Sequence, residues 1–425
     1  MFCMRIRWPI FVAAALSLVI CGAVAIAQRR DAFVASRDHA AIRYSDGPTA
    51  NAVTALNARL TAGSATLAFD PANGYLAAVL AALKVPVDSQ ALVFSQTSFQ
   101  GALINMHNPR AVFFNDTVAV GWVRGGDILE VSAFDPKQGV VFYALEQTKG
   151  AAPRFKRDNQ CLACHLSWDT VGVPGMLLGS MYPLPDDPNA YASGYVTVQG
   201  SPLEQRWGGW WVTGDHGGAQ HMGNVPVLTA DKKFKLAKPT QTLKSVEGLF
   251  DLKGYPTPYS DVVAQLVLAH QVRMTNLITR NGWEARLADA APSADASTRV
   301  REAAVDLVDY LLFVDEEPLK RPVHGTSGFT ERFATGGPRD AQGRSLRDFD
   351  LQRRLFKHPC SYMIYSEAFD ALPATAKTAV YERLSTVLSG REASPRYKVL
   401  SAADRRAVLE ILRATKNDLP AALRQ

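Results

Sequence analysis

Residues 111–146 read AVFFNDTVAVGWVRGGDILEVSAFDPKQGVVFYALE, and this stretch decides the fold. Runs of β-branched and aromatic residues at 111–114, 118–123, 128–133 and 140–145 are separated by Asn115-Asp116 and by Gly125-Gly126-Asp127. Runs this short, punctuated by turn residues, suit the strands of an antiparallel sheet. Residues 91–95 supply one more such run upstream.

Outward from the sheet the pattern changes. Residues 71–83 read as helical, and the polar, Ala-rich residues 28–65 leave room for one short helix. Beyond the sheet, residues 175–184, 191–198 and 210–213 read as loops and short strands. In the C-terminal third, residues 260–280, 298–316, 346–357, 361–372, 374–388 and 402–414 suit amphipathic helices. Ser401 with Asp404 has the pattern of a capping box, and Gly390 is placed to end the preceding helix. Residues 288–297 and 317–345 read as connections. The second is long, Gly-rich and carries Arg321, Arg332, Arg339 and Arg344, the kind of loop that is usually functional or mobile. No internal repeat is evident.

Between sheet and helices lies Asn159-Gln160-Cys161-Leu162-Ala163-Cys164-His165, the c-type haem attachment pattern. Two thiols one helical turn apart reach the two vinyl groups of a porphyrin, and the adjacent imidazole falls under the iron. The motif therefore assigns Cys161 and Cys164 to one covalent haem c and His165 to its iron. A zinc site would want a second ligand pair, and Cys360 stands alone. A thioredoxin-like pair has the same spacing, but no strand with an aromatic residue leads directly into Cys161, and such a pair does not require His165.

The expected class is α+β. An antiparallel sheet fills the N-terminal half, a c-type haem segment lies mid-chain, and the C-terminal part is mostly helical. The corresponding divisions are 1–27, a signal peptide; 28–150, β-rich; 151–258, haem-binding; and 259–425, helical. The stretch 28–425 is readable as one folded unit with the haem near the junction.

The leader rests on Arg5 and Arg7, an apolar core from residue 10 to 20, and Ala25-Ile26-Ala27, which places cleavage before Gln28. The alternative is an uncleaved anchor, because residues 9–27 are long enough to span a bilayer. Either way the rest of the chain faces the periplasm. Without the leader, Cys161, Cys164 and Cys360 remain, an odd number that excludes a disulfide-rich scaffold. The formal net charge of +6, two units of it in the leader, is too mild to argue for nucleic acid. The partner expected is a redox protein or a small electron donor or acceptor.

A c-type iron often takes a second axial ligand, Met or His. Met176 and Met181 lie too near the motif to cross to the far haem face. The stretch Trp207 to Asn224 holds His216, His221 and Met222 among tryptophans and glycines, and it reads as a wall or lid of the haem pocket. His221 leads these candidates, since 56 residues from His165 are enough to pass around the haem edge. The other reading is a surface loop with a tryptophan plug. His270 lies on the apolar stripe of the first long helix and is a weaker candidate, since buried histidines are mostly satisfied by hydrogen bonds. Cys360, beside an apolar run, reads as an inert buried thiol.

Several stretches taken together carry a resemblance. They are Asn108-Pro109-Arg110, Phe113 to Thr117, Val120-Gly121-Trp122-Val123, the motif itself, Gly172-Val173-Pro174-Gly175, Trp207 to Asn224, Gly336 to Asp340, Gly343 to Arg347, and Pro359 to Tyr362. In these the chain resembles an uncharacterised family of exported bacterial proteins with a cytochrome c domain and a single Cys-x-x-Cys-His motif. The resemblance implies haem binding and export and no particular reaction. Three functions stay open: an electron-transfer cytochrome, a haem oxidoreductase of peroxidase type, and a sensor or structural haem protein. The chain is larger than a carrier needs, yet it has one attachment motif where a di-haem peroxidase has two.

Overall fold

The β-branched runs pair into a seven-stranded sheet. The computed structural model describes residues 36–150, 152–181, 194–225 and 240–424. The leader, 1–27, lies outside the described residues. Helices α1 (Ala52–Thr61) and α2 (Leu76–Ala82) precede the sheet. Strands β1 (Ala91–Val93), β2 (Arg110–Phe114), β3 (Val118–Trp122), β4 (Ile128–Asp135), β5 (Gly139–Glu146) and β6 (Phe155–Arg157) follow in order. Then come helix α3 (Leu162–His165), strands β7 (Gly179–Met181), β8 (Gly194–Val196) and β9 (Trp210–Trp211), and the helical part.

The sheet order is β6-β5-β4-β3-β2-β1-β9, with every neighbouring pair antiparallel. β7 and β8 form a separate pair. Register puts Phe113, Val120, Val131 and Tyr143 opposite one another on one face. That face packs on Leu56 of α1 and on Leu76 and Val79 of α2. Period-two alternation sends Arg110, Glu130, Ser132 and Phe142 to the other face.

Helix α4 (Val262–Ala290) runs through the molecule and is buried along most of its length. An all-round buried helix needs no amphipathic stripe. It packs on α5 (Ala294–Leu311) and on β5. Close approach is possible because Gly139 has no side chain: a Cβ there would lie 2.3 Å from Thr279 Cγ2, and its φ of +84° suits glycine. Asp261 starts α4, its Oδ1 accepting the backbone N–H groups of Val263 and Ala264. The remaining helices are α6 (Phe329–Thr335), α7 (Glu367–Asp370), α8 (Ala374–Leu388), α9 (Ala402–Thr415) and α10 (Ala421–Arg424). Their apolar faces form one core with α4 and α5. No helix among the described residues is long and apolar enough to cross a membrane.

The α+β class therefore holds, with sheet and helices divided as the sequence indicated. Four local expectations need correction. Residues 346–357 are not a helix but turns and bends. Asp350 Oδ1 takes the N–H groups of Gln352 and Arg353, Ser345 Oγ takes that of Arg347, and Leu351 adopts a φ of +53°. Side-chain acceptors have captured the donors a helix would need. Residues 288–297 are mostly helical: α4 runs to Ala290, Pro292 interrupts it, and Ser293 caps α5 by accepting the N–H of Ala296. Residues 361–372 break into a 3₁₀ turn, Tyr362–Tyr365, and α7, because Ser366 Oγ accepts the N–H of Phe369 and starts a new helix. The connection 317–345 contains α6.

Candidate haem attachment site

The motif is a single helical turn laid on the sheet. Asp158 Oδ1 accepts the N–H of Gln160 and opens a 3₁₀ turn, Asn159–Cys161, that continues into α3. Leu162 is buried in the sheet-side core and pins the turn. Cys161 and Cys164 are both unpaired; the first is half-buried and the second exposed. Burial, with the nearby charges of Asp158 and Glu130, pushes the Cys161 thiol up to about 12. Its surroundings disfavour the thiolate, the form a reactive redox pair uses.

His165 packs its ring 4.7 Å from that of Phe142 on β5. Its Nδ1 donates to the Gly175 carbonyl at 2.9 Å. A carbonyl can only accept, so the ring proton sits on Nδ1 and the lone pair is on Nε2, the nitrogen left for a metal. Burial keeps the ring neutral by lowering its pKa; the Gly175 carbonyl opposes this.

The acceptor is itself held. Gly175 N–H donates back to the His165 carbonyl at 2.9 Å. Asn276 of α4 donates through Nδ2 to the Met176 carbonyl at 2.8 Å, and Ser132 Oγ lies 3.3 Å from Met176 Sδ. A Cβ on Gly175 would stand 2.2 Å from Asn276 Oδ1, so only glycine fits between motif and helix. The segment thus bridges β4, β5 and α4.

Beside it runs an ion pair. Arg110 Nη1 donates to Glu130 Oε2 at 2.8 Å, across Gly121 of β3. Glu130 Oε1 also accepts from Ser98 Oγ at 2.5 Å and from Gln100 Nε2 at 3.3 Å. Burial raises the Glu130 carboxyl, but Arg110 and these hydrogen bonds outweigh it and hold the pKa below its ordinary value.

These features fit a c-type haem. Two free thiols share one turn, at least one of them is open to solvent, and the neighbouring imidazole has its metal-binding nitrogen unprotonated. Cys161 and Cys164 would hold the group as thioethers, each thiol adding sulfur to one vinyl carbon and hydrogen to the other, and His165 would take the iron. Among the described residues no group of three or more His, Cys, Asp or Glu side chains is gathered around a common ion position.

His216, His221 and Met222 are together, but elsewhere. The His216 and His221 rings lie 4.6 Å apart, and His221 meets Trp207 edge-on at 5.0 Å. This loop sits at the β1–β9 edge of the sheet, where Gly209 O accepts the N–H groups of Phe94 and Ser95. The motif lies over β4 and β5. Gly223 N–H donates to His221 Nδ1 at 3.0 Å, so the neutral ring carries its proton on Nε2. Iron ligation through that nitrogen would require the ring to give up the Gly223 bond. His221 Nε2, His216 Nδ1 and Trp207 Nε1 are buried without a hydrogen-bond partner among the described residues. Met222 is buried, its sulfur 3.7 Å from Ser180 Oγ.

His270 is fully buried with both nitrogens engaged, Nδ1 with Gln199 Oε1 and Nε2 with Ser361 Oγ, each at 2.7 Å. Its rings of contact are Tyr310 and Phe313, and burial lowers its pKa to about 3. Cys360 is fully buried, and burial raises its thiol far above the ordinary range.

The sequence did not point to Phe142, Asn276 or Glu130 as supports of the motif. One signal was available: Gly175, within Gly172-Val173-Pro174-Gly175, marks a backbone that something approaches closely. No family model, curated protein or solved structure matches the chain.

Proposed function

We propose that this chain is an exported, periplasmic c-type cytochrome that carries one covalent haem and passes electrons to or from a redox protein or small molecule. The observation that carries the reading is the His165 Nδ1–Gly175 carbonyl bond, which leaves Nε2 unprotonated on the same turn as two unpaired thiols. A haem bound there supplies a one-electron couple at its iron. Cys161 and Cys164 fix its position. Gly175 orients the imidazole and raises its basicity as a ligand. Phe142 packs against the ring at a tilt of 40°.

The chain made with a cytochrome maturation system should retain haem on a denaturing gel, and Cys161→Ser with Cys164→Ser should lose it. A correctly exported, haem-free wild type would refute the proposal. Visible spectra then separate carrier from enzyme. A low-spin spectrum that becomes high-spin in His221→Ala would show that the Trp207 to Asn224 loop reaches the iron, against its place at the β1–β9 edge of the sheet. A low-spin spectrum unchanged in His216→Ala and His221→Ala agrees with the place of both rings at the β1–β9 edge, away from the motif. A wild type already high-spin favours the peroxidase-type or sensor alternative.

A further inference from the structure

Arg110 has more hydrogen-bonding capacity than its one partner uses. A guanidinium offers five N–H donors in a rigid plane. Glu130 takes one through Nη1, and Nε is buried without a partner among the described residues. Oε1 of the carboxylate takes Ser98 and Gln100, and Oε2 takes only Nη1 of the guanidinium. A buried Nε–H left without a partner costs free energy unless an acceptor completes it.

The place is specific. Arg110 opens β2 on the sheet face that also carries Glu130, Ser132 and Phe142. Gly121 lies between the charged pair; a Cβ there would come within 3.3 Å of Glu130 Oε2 and 3.7 Å of Arg110 Cδ. The pair therefore lies flat against the sheet. Ser132, two residues along β4 from Glu130, reaches Met176, and Phe142 carries the His165 ring. The fields of both Arg110 and Glu130 reach His165. Beyond its iron, a haem brings two propionate carboxylates, and carboxylates pair bidentately with arginine.

We infer that Arg110, steadied by Glu130, binds a propionate carboxylate of the haem attached at Cys161 and Cys164. This rests on the c-type haem reading above. Glu130 acts as a positioning residue, holding one edge of the guanidinium so that the other edge faces the ligand.

The test uses the haem-loaded protein and its reduction potential as a function of pH. The ionisable groups whose charges bear on His165 and Cys161 are Arg110, Glu130, Asp158 and Cys164. The double variant Arg110→Gln with Glu130→Gln removes the pair together, so neither charge is left buried alone. Asp158 remains in both proteins, and Cys164 is a thioether in both. Without its cation the propionate pKa rises, and its protonation becomes linked to the charge on iron. The expected result is a potential nearly independent of pH across the neutral range in wild type and clearly pH-dependent in the double variant. Arg110→Lys keeps a cation in place and should stay close to wild type. A double variant as pH-independent as wild type, or a lysine variant as pH-dependent as the double, overturns the inference. Loss of covalent haem from the wild type on a denaturing gel would instead refute the reading beneath it.

Discussion

Gly175→Ala should be rescued by a second substitution on a distant helix. The new methyl group would stand 2.2 Å from Asn276 Oδ1, 2.6 Å from its Cγ and 3.0 Å from its Nδ2. Gly175 is not among the residues with positive φ, so alanine meets no backbone penalty there. The amide must turn away and lose its bond to the Met176 carbonyl, at about 1–3 kcal/mol for a buried acceptor left unpaired. Overpacking adds about 1–3 kcal/mol. The single variant should therefore lose about 2–6 kcal/mol. Asn276→Ala alone should lose about 1–3 kcal/mol, the hydrogen bond without the clash. In the double variant the alanine at 276 leaves room for the methyl group, so the loss should fall short of the sum by at least about 1 kcal/mol. Denaturant unfolding of the four proteins measures the cycle. Losses that add to within about 0.5 kcal/mol would show that Gly175 and Asn276 are not in contact, and would remove the link between motif and helix.

Asp261 should not tolerate asparagine, although the two cap helices equally well in general. Its Oδ2 also accepts the N–H groups of Thr326 and Ser327, and an amide nitrogen there would face two donors. Asp261→Asn should lower stability by about 2–4 kcal/mol; a change below about 0.5 kcal/mol in the unfolding midpoint would refute this. His270 is pushed down to about 3 by burial, while an unfolded histidine titrates near 6.5. The unfolded chain then binds the extra proton, so stability is retained above about pH 6.5 and falls from there toward pH 3, by about 1.4 kcal/mol per pH unit from this residue. His270→Gln should lose that share of the acid slope, and an unchanged slope would mean the proton is taken up elsewhere. Ser401→Ala should lose about 1 kcal/mol, because the capping box with Asp404 is formed in both directions. No change in the unfolding midpoint would count against that cap.

The sheet was legible because strands β1 to β5 have β-branched runs bounded by turn residues, signals that lie within each segment. β6 was not, since Phe155-Lys156-Arg157 is short and charged, and its pairing comes from Tyr143 to Leu145 of β5. Residues 210–211 read as a strand, but their pairing with β1 spans over a hundred residues and leaves no local trace. The helix expected at 346–357 failed because periodicity counts apolar residues and ignores what Asp350 and Ser345 do to the backbone. At the motif, the gathering of the two cysteines and His165 on one turn was readable from spacing alone. What holds the imidazole was not, because Gly175 is brought to it by the tertiary fold and Asn276 lies about a hundred residues further on.

Helix α4 acts as a spacer with both histidine groups attached. The Trp-rich segment is fastened at its start, where Val262 N–H donates to the Thr213 carbonyl, and the motif is fastened at Asn276. Helical rise sets those two points about 21 Å apart. At that separation chemical changes at one attachment add to those at the other instead of coupling. The surroundings of His165 and the hydrogen bonding around His221 can then be adjusted separately, and the helix would have to bend or slide before an event at one end could be felt at the other.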